Sequence, residues 1–263
     1  MCGALLYTLM SSVSAAQMLA FHQLPLSLFE TGLFVFHDAN LLTYGLLFCF
    51  SLAAVTLFPA RDNERLALHR VTGRHDVWAG RALALLHLTL VFLAAVTLTF
   101  LIVIVPGHTA DTGWSAGYDH AIAIAQARPE GLEPVFYLAA DPFLRRTFSP
   151  VGLCALQVAL AVVVFWATGV LSTVVAQAAR TKAAALLGML TYLGAYRVAV
   201  FSALPAATLL TPQYHLLLSS HVPTDPSRVG PYVPIGVSLI VWCALLVVLW
   251  AVGSAQTDCM ELD

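Results

Sequence analysis

Residues 82–105 read ALALLHLTLVFLAAVTLTFLIVIV, a run with one histidine, three threonines and no formal charge. As a helix it would be about 36 Å long at 1.5 Å per residue. A span needs about 20 apolar residues to cross the hydrocarbon core. The run therefore predicts a transmembrane helix. The whole chain fits that setting. Of its 263 residues, 60% are apolar and only 10% are charged. Soluble domains carry roughly 25% charged residues, so much of this surface must face lipid.

Five further uncharged or nearly uncharged runs lie on either side: residues 1–21, 41–59, 150–178, 183–204 and 233–253. With 82–105 they predict an all-α membrane protein of six transmembrane helices in a single domain, residues 1–263. Arginine and lysine set its orientation. The 60–81 loop holds Arg61, Arg65, Arg70, Arg74 and Arg81, and the turn between spans four and five holds Arg180 and Lys182. The opposite side has Arg128, Arg145, Arg146 and Arg228 in longer loops. The first side should be cytoplasmic, with both termini there and the chain in the plasma membrane. Residues 205–232 are apolar but broken by Pro205 and Pro212. They are too short to span twice, and a re-entrant outer segment before helix six fits them. Such backbone is tolerated at membrane depth only when buried in protein.

Several chemistries have no residues to run on. The single lysine, Lys182, follows Thr181, so no GxxxxGK[ST] phosphate loop exists. All fourteen carboxylates fall in loops or tails, leaving no carboxylate relay for ion coupling. Five cysteines form no CxxC pair. The residues offer no catalytic set and no metal site, and the chain is not expected to be an enzyme or to bind nucleic acid. Six histidines on the outer side (His22, His37, His108, His120, His215 and His221) match no ligand spacing, even with Asp111 and Asp119 nearby.

The segment 61–86, RDNERLALHRVTGRHDVWAGRALALL, mixes charges with Leu66, Leu68, Val71, Val77 and Trp78. As a helix it brings Arg74, Trp78 and Arg81 near one another. Trp and basic groups belong at the headgroup level. The segment resembles the amphipathic cytoplasmic elbow between helices two and three of ABC-2-type transporter permeases. In that family a small and a basic residue, an aromatic, then a small and a basic residue open span three; here these are Gly73, Arg74, Trp78, Gly80 and Arg81. The Arg180–Lys182 turn resembles the family's second cytoplasmic contact, and 205–232 its re-entrant hairpin. One departure is that this chain opens inside an apolar run, where the family has an amphipathic helix.

The resemblance implies the transmembrane subunit of an ATP-binding-cassette exporter. The elbow, Arg70, Gly73, Arg74, Trp78 and Arg81, would dock on separate ATPase subunits that carry ATP and Mg, while this chain binds no cofactor. A second permease would complete a homo- or heterodimer, and Arg197 within span five would face the substrate pathway. Simple anchoring explains Trp78 and its arginines equally, and snorkelling to the headgroups explains Arg197. Two alternatives remain: a haem-binding anchor of a redox complex, for which only His87 lies in a span and His37 at a rim, and a membrane scaffold without transport.

Overall fold

The computed structural model describes residues 3–6, 8–10, 13, 26–36, 38–56, 74–105, 110–127, 141–179, 181–202, 204–223 and 230–259. The protein is all-helical, and four helices are long and apolar enough to cross a membrane. They are α3 (Arg74–Ile104), α6 (Pro150–Ala179), α7 (Lys182–Phe201) and α9 (Ile235–Cys259). A shorter apolar helix, α2 (Leu41–Thr56), packs among them. The expected span 1–21 lies mostly outside the described residues. Among the described residues, five of the six expected spans thus correspond to four long helices and one shorter one.

Helix α6 is the central post. In its most apolar stretch 61% of residues are buried, against 22%, 28% and 17% in α3, α7 and α9. Each of α2, α3, α7 and α9 packs against it. Phe165 on α6 meets Phe50 of α2 and Phe92 of α3, with ring centroids 5.2 and 5.9 Å away. Gly169 makes room for this cluster, since a Cβ there would come within 3.2 Å of the Phe50 ring and 3.3 Å of Leu85. Small residues let helices in lipid approach this closely. The Trp166 indole N–H donates to the Ala82 carbonyl at 2.9 Å, tying α6 to α3. Outward faces carry Leu83, Leu90, Leu98 and Ile102 on α3, and Ile240 and Val247 on α9, all exposed. Apolar belts of that extent belong against lipid.

Helix ends follow local chemistry. α6 and α7 match their expected ranges closely. Thr181 caps α7, its hydroxyl accepting from the Ala184 N–H at 3.2 Å. α3 begins eight residues before the expected span, because Gly80 alone does not break a helix flanked by good formers. α9 likewise runs through Gly253 to Cys259, beyond the expected end. α2 opens with a π-helical stretch, Leu41–Leu47, before its α-helical half.

One end of the bundle is a layer of short helices. α1 (Leu28–Gly32) starts at a capping box, with Ser27 and Glu30 bonded reciprocally. α4 (Ala116–Ala127) and α5 (Pro142–Thr147) follow α3, and Asp141 caps α5 through the Phe143 N–H at 2.6 Å. Leu33, Leu144, Leu153, Leu218 and Val222 form a separate small core beneath them. Residues 205–221 form three short turns rather than one helix: 205–210, α8 (Pro212–Leu216) and 218–221. Pro205 and Pro212 each open one of them, as proline does at a first helical position.

Candidate functional site

The 205–222 hairpin is inserted beside the long helices, and every residue from Thr211 to Val222 is buried. The Gln213 amide donates to the Leu193 carbonyl at 2.8 Å. Leu193 lies eight residues before the end of α7, so the contact is about 12 Å below that end. The His215 ring packs edge-on against Trp242, seven residues into α9 and about 10 Å below its start. Tyr214 donates its hydroxyl to the Pro231 carbonyl, and Tyr192 donates to the Leu210 carbonyl at 2.8 Å. Gly230 turns the chain toward α9 at φ 131°, a left-handed backbone that favours glycine. A side chain there would also strike Thr208 and the Tyr214 ring.

Two histidines brace this hairpin. His215 presents Nε2 to the Leu209 carbonyl at 2.9 Å and Nδ1 to the Ser238 hydroxyl at 2.8 Å. One neutral tautomer satisfies both, with Nε2–H donating and Ser238 donating to Nδ1. His221 differs. Its Nδ1 faces the Val233 carbonyl at 2.7 Å and its Nε2 the His215 carbonyl at 2.9 Å. A neutral ring has one N–H and satisfies only one of these acceptors. Burial pushes both histidines below the usual range, outweighing the carbonyl contacts that favour protonation.

The layer of short helices is held by a buried carboxylate. Glu30 accepts from the Ser27 N–H at 2.6 Å, the Ser115 N–H at 2.6 Å and the Ser115 hydroxyl at 2.7 Å. It therefore joins α1 to the start of α4, across 85 residues of chain. The Trp114 indole stacks near Tyr118 and donates to the Phe148 carbonyl at 2.8 Å. Burial raises the Tyr118 hydroxyl well above the usual range, the largest of several influences. At the rim Asp119 and Arg145 form a two-pronged ion pair at 2.7 Å.

Inside the bundle the polar groups fall into two classes. Thr168, Ser172 and Thr173 on α6 donate to carbonyls of their own helix. Gln157 and Gln177 do not: both amide atoms of each are buried without a partner among the described residues. They stand about 30 Å apart along α6, with the phenylalanine cluster between them. Thr43 and Ser51 on α2 and the Gln213 carbonyl oxygen are orphaned in the same way.

The residues singled out by sequence are spread around this frame. Arg70, Gly73 and Arg180 lie outside the described residues, as does the side chain of Arg74. Trp78, expected at the headgroup level, is fully buried against Gly253 of α9. A Cβ at Gly253 would run into its indole ring, and the Trp78 N–H has no acceptor. Arg81 is half-buried one turn further along α3. Lys182 opens α7 and is exposed. Arg197 is half-buried, donates to the Asn40 side-chain oxygen, and lies 5.9 Å from the Tyr44 ring centroid. Among the described residues no three His, Cys, Asp or Glu side chains come together as a metal site. Glu30 went unnoticed in the sequence although the Ser27-x-x-Glu30 signature was there to read. The orphaned glutamines carry no such local signature. No family model, curated protein or solved structure matches the chain.

Proposed function

We propose that this chain is the transmembrane subunit of an ATP-driven exporter of the ABC-2 type, forming the solute pathway and drawing its energy from separate ATPase subunits. The observation that carries this reading is the set of buried, unpartnered polar groups in the bundle: Gln157 and Gln177 on α6, with Thr43 and Ser51 on α2. A lost hydrogen bond in an apolar interior costs ~1–3 kcal/mol even in soluble proteins, and hydrocarbon offers no water in exchange. A scaffold gains nothing from such groups. A pathway does, because a polar solute or water supplies the missing partners as it passes. The phenylalanine cluster between the two glutamines would keep the resting bundle closed.

The stretches 82–105, 150–179, 182–201 and 235–256 contain no carboxylate, so the driving force is assigned to ATP and Mg on partner ATPases. The coupling face is the cytoplasmic end, with Arg70, Gly73 and Arg74 ahead of Trp78, and Arg180 and Lys182 as the second contact. Burial of Trp78 on Gly253 gives this idea a mechanical form: a push on the chain before α3 passes through the indole into α9. Both termini are placed in the cytoplasm, and a second permease completes the pathway. The haem-anchor alternative gains no support from the buried histidines, since Leu209, Ser238, Val233 and the His215 carbonyl engage both nitrogens of each.

The test is co-expression with a candidate ATPase, followed by pull-down and reconstitution into vesicles. The proposal expects recruitment of the ATPase and ATP-dependent solute movement. It also expects the Gln157→Leu, Gln177→Leu double variant to fold and bind the ATPase but to lose most transport. Failure to recruit any ATPase removes the exporter reading, and full transport by the double variant removes the pathway.

A further inference from the structure

Between Lys182 and Phe201, α7 carries one charge, Arg197. It lies fifteen residues beyond Lys182, about 22 Å along the helix axis. With Lys182 at the inner headgroups, that is the outer third of a ~30 Å hydrocarbon layer. A bare guanidinium there is costly, and such residues are found paired or reaching the interface. Arg197 has no carboxylate partner among the described residues. Asp38, the acid nearest to Asn40 in sequence, directs an oxygen to the backbone N–H groups of Asn40 and Leu41, at 2.8 and 3.1 Å.

The guanidinium is nevertheless held in place. It donates to the Asn40 side-chain oxygen and lies near the Tyr44 ring, so it leans across from α7 to α2. Its Nε–H is enclosed without an acceptor. An arginine has five N–H donors in a rigid fork, and Asn40 takes one. Around it Tyr44, Val198, Phe201 and Leu204 are exposed, as side chains in contact with acyl chains should be. A fixed, unneutralised fork beside a lipid-facing apolar wall matches one group always present near this depth: a phospholipid phosphate, which accepts two parallel N–H bonds.

We propose that Arg197, braced by Asn40 and Tyr44, binds the phosphate of an outer-leaflet phospholipid whose acyl chains lie along the groove between α2 and α7. Asn40 acts as a positioning residue. The proposal stands whether or not the chain is an exporter.

The experiment uses the full chain in detergent, stripped of lipid, with bound lipid counted by native mass spectrometry. Phosphatidylglycerol, a glucosyl diacylglycerol without phosphate, and inorganic phosphate are the three probes. Wild type should prefer phosphatidylglycerol to the glucolipid by about tenfold or more, a charge-assisted fork being roughly twice as strong as neutral bonds. Arg197→Gln should abolish the preference, and Arg197→Lys should keep part of it, since an ammonium attracts phosphate without the fork. Millimolar inorganic phosphate should not displace the lipid. Equal binding of both lipids, or an undiminished preference in Arg197→Gln, overturns the proposal. Displacement by inorganic phosphate also overturns it and makes the site one for free phosphate. Should Arg197→Gln fail to fold, loss of all preference in a folded Asn40→Ala would support the site, and an unchanged preference in folded Arg197→Lys would refute the role of the fork.

Discussion

The two ends of this molecule solve the same problem differently. At the end that carries the short helices, many buried polar side chains find partners on other elements: Glu30 with Ser27 and Ser115, Trp114 with Phe148, His215 with Leu209 and Ser238, although Gln157, Gln213 and Trp242 keep unpaired atoms there. At the opposite end the polar bonds are local, such as those of Thr56 and Thr181. The Trp78 N–H, both amide atoms of Gln177 and the Gln256 carbonyl oxygen are enclosed without partners. The end with the short helices is thus tied across elements by directional bonds, and the opposite end by shape, above all the indole of Trp78 seated on Gly253. Directional bonds hold one arrangement. A shape-held joint with spare polar groups is the better place for an element that must shift when a partner binds.

The largest effect should come from that joint. Trp78→Ala is expected to destabilise the protein by about 4 kcal/mol, the usual range for removing a buried aromatic. Trp78→Phe should lose far less, because the indole N–H bonds to nothing. Thermal melts in detergent compare the two. Equal losses would mean that the N–H matters and that the joint is not held by shape.

Next comes the buried carboxylate of Glu30. Glu30→Ala leaves three donors unpaired and should cost about 3 kcal/mol, given ~1.5–3 kcal/mol for a hydrogen bond to a charged group. The loss should appear as faster hydrogen exchange in residues 27–36 and 115–119, with α3 and α9 unchanged. Exchange accelerated equally in α9 would erase the distinction between the ends.

Glutamine replacements sharpen the comparison with an opposite sign. Gln177→Leu removes a buried amide that bonds to nothing and should be neutral or stabilising, by up to about 1 kcal/mol. Gln213→Leu removes the bond to the Leu193 carbonyl and should destabilise by about 1 kcal/mol. A clear loss of stability in Gln177→Leu would show that the inner amide has a partner after all.

The smallest effect is with pH. Burial holds His215 and His221 below their unfolded values, so the unfolded chain binds more protons. Their contribution to stability is fully present above an unfolded pKa of about 6.5 and is lost as pH falls from there through the folded values. The titratable groups facing them are each other and Tyr214. Melting temperature should decline on acidification below that point, and less so in His215→Gln, His221→Gln. An unchanged slope in the double variant would place the acid response elsewhere.

Much of the helical frame was legible from sequence, because charges and prolines mark where apolar runs leave lipid. Pro150 and the Arg180–Lys182 turn put the starts of α6 and α7 within a residue of where they are. The hairpin was legible from Pro205 and Pro212, since proline interrupts a helix whatever surrounds it. The packing of Trp78 was not legible, for an instructive reason. A tryptophan among arginines reads as an interfacial anchor, yet the residue it packs on, Gly253, is distant in the chain and lies in another helix. Neither the burial of Glu30 nor the isolation of Gln157 and Gln177 was visible, because both depend on what other elements bring alongside.

The central position of α6 also bears on how the protein is made. Chains emerge at roughly 5–20 residues per second, so the interval between completing α6 at Ala179 and completing α9 at Cys259 is on the order of ten seconds. During that interval the side of α6 that α9 will cover is open, and Trp78 has nothing to sit on. Those surfaces must face lipid or the insertion machinery until the last helix arrives. A ribosome stall after α7 would therefore leave a membrane-inserted but unclosed bundle, with Trp78 uncovered for quality control to recognise.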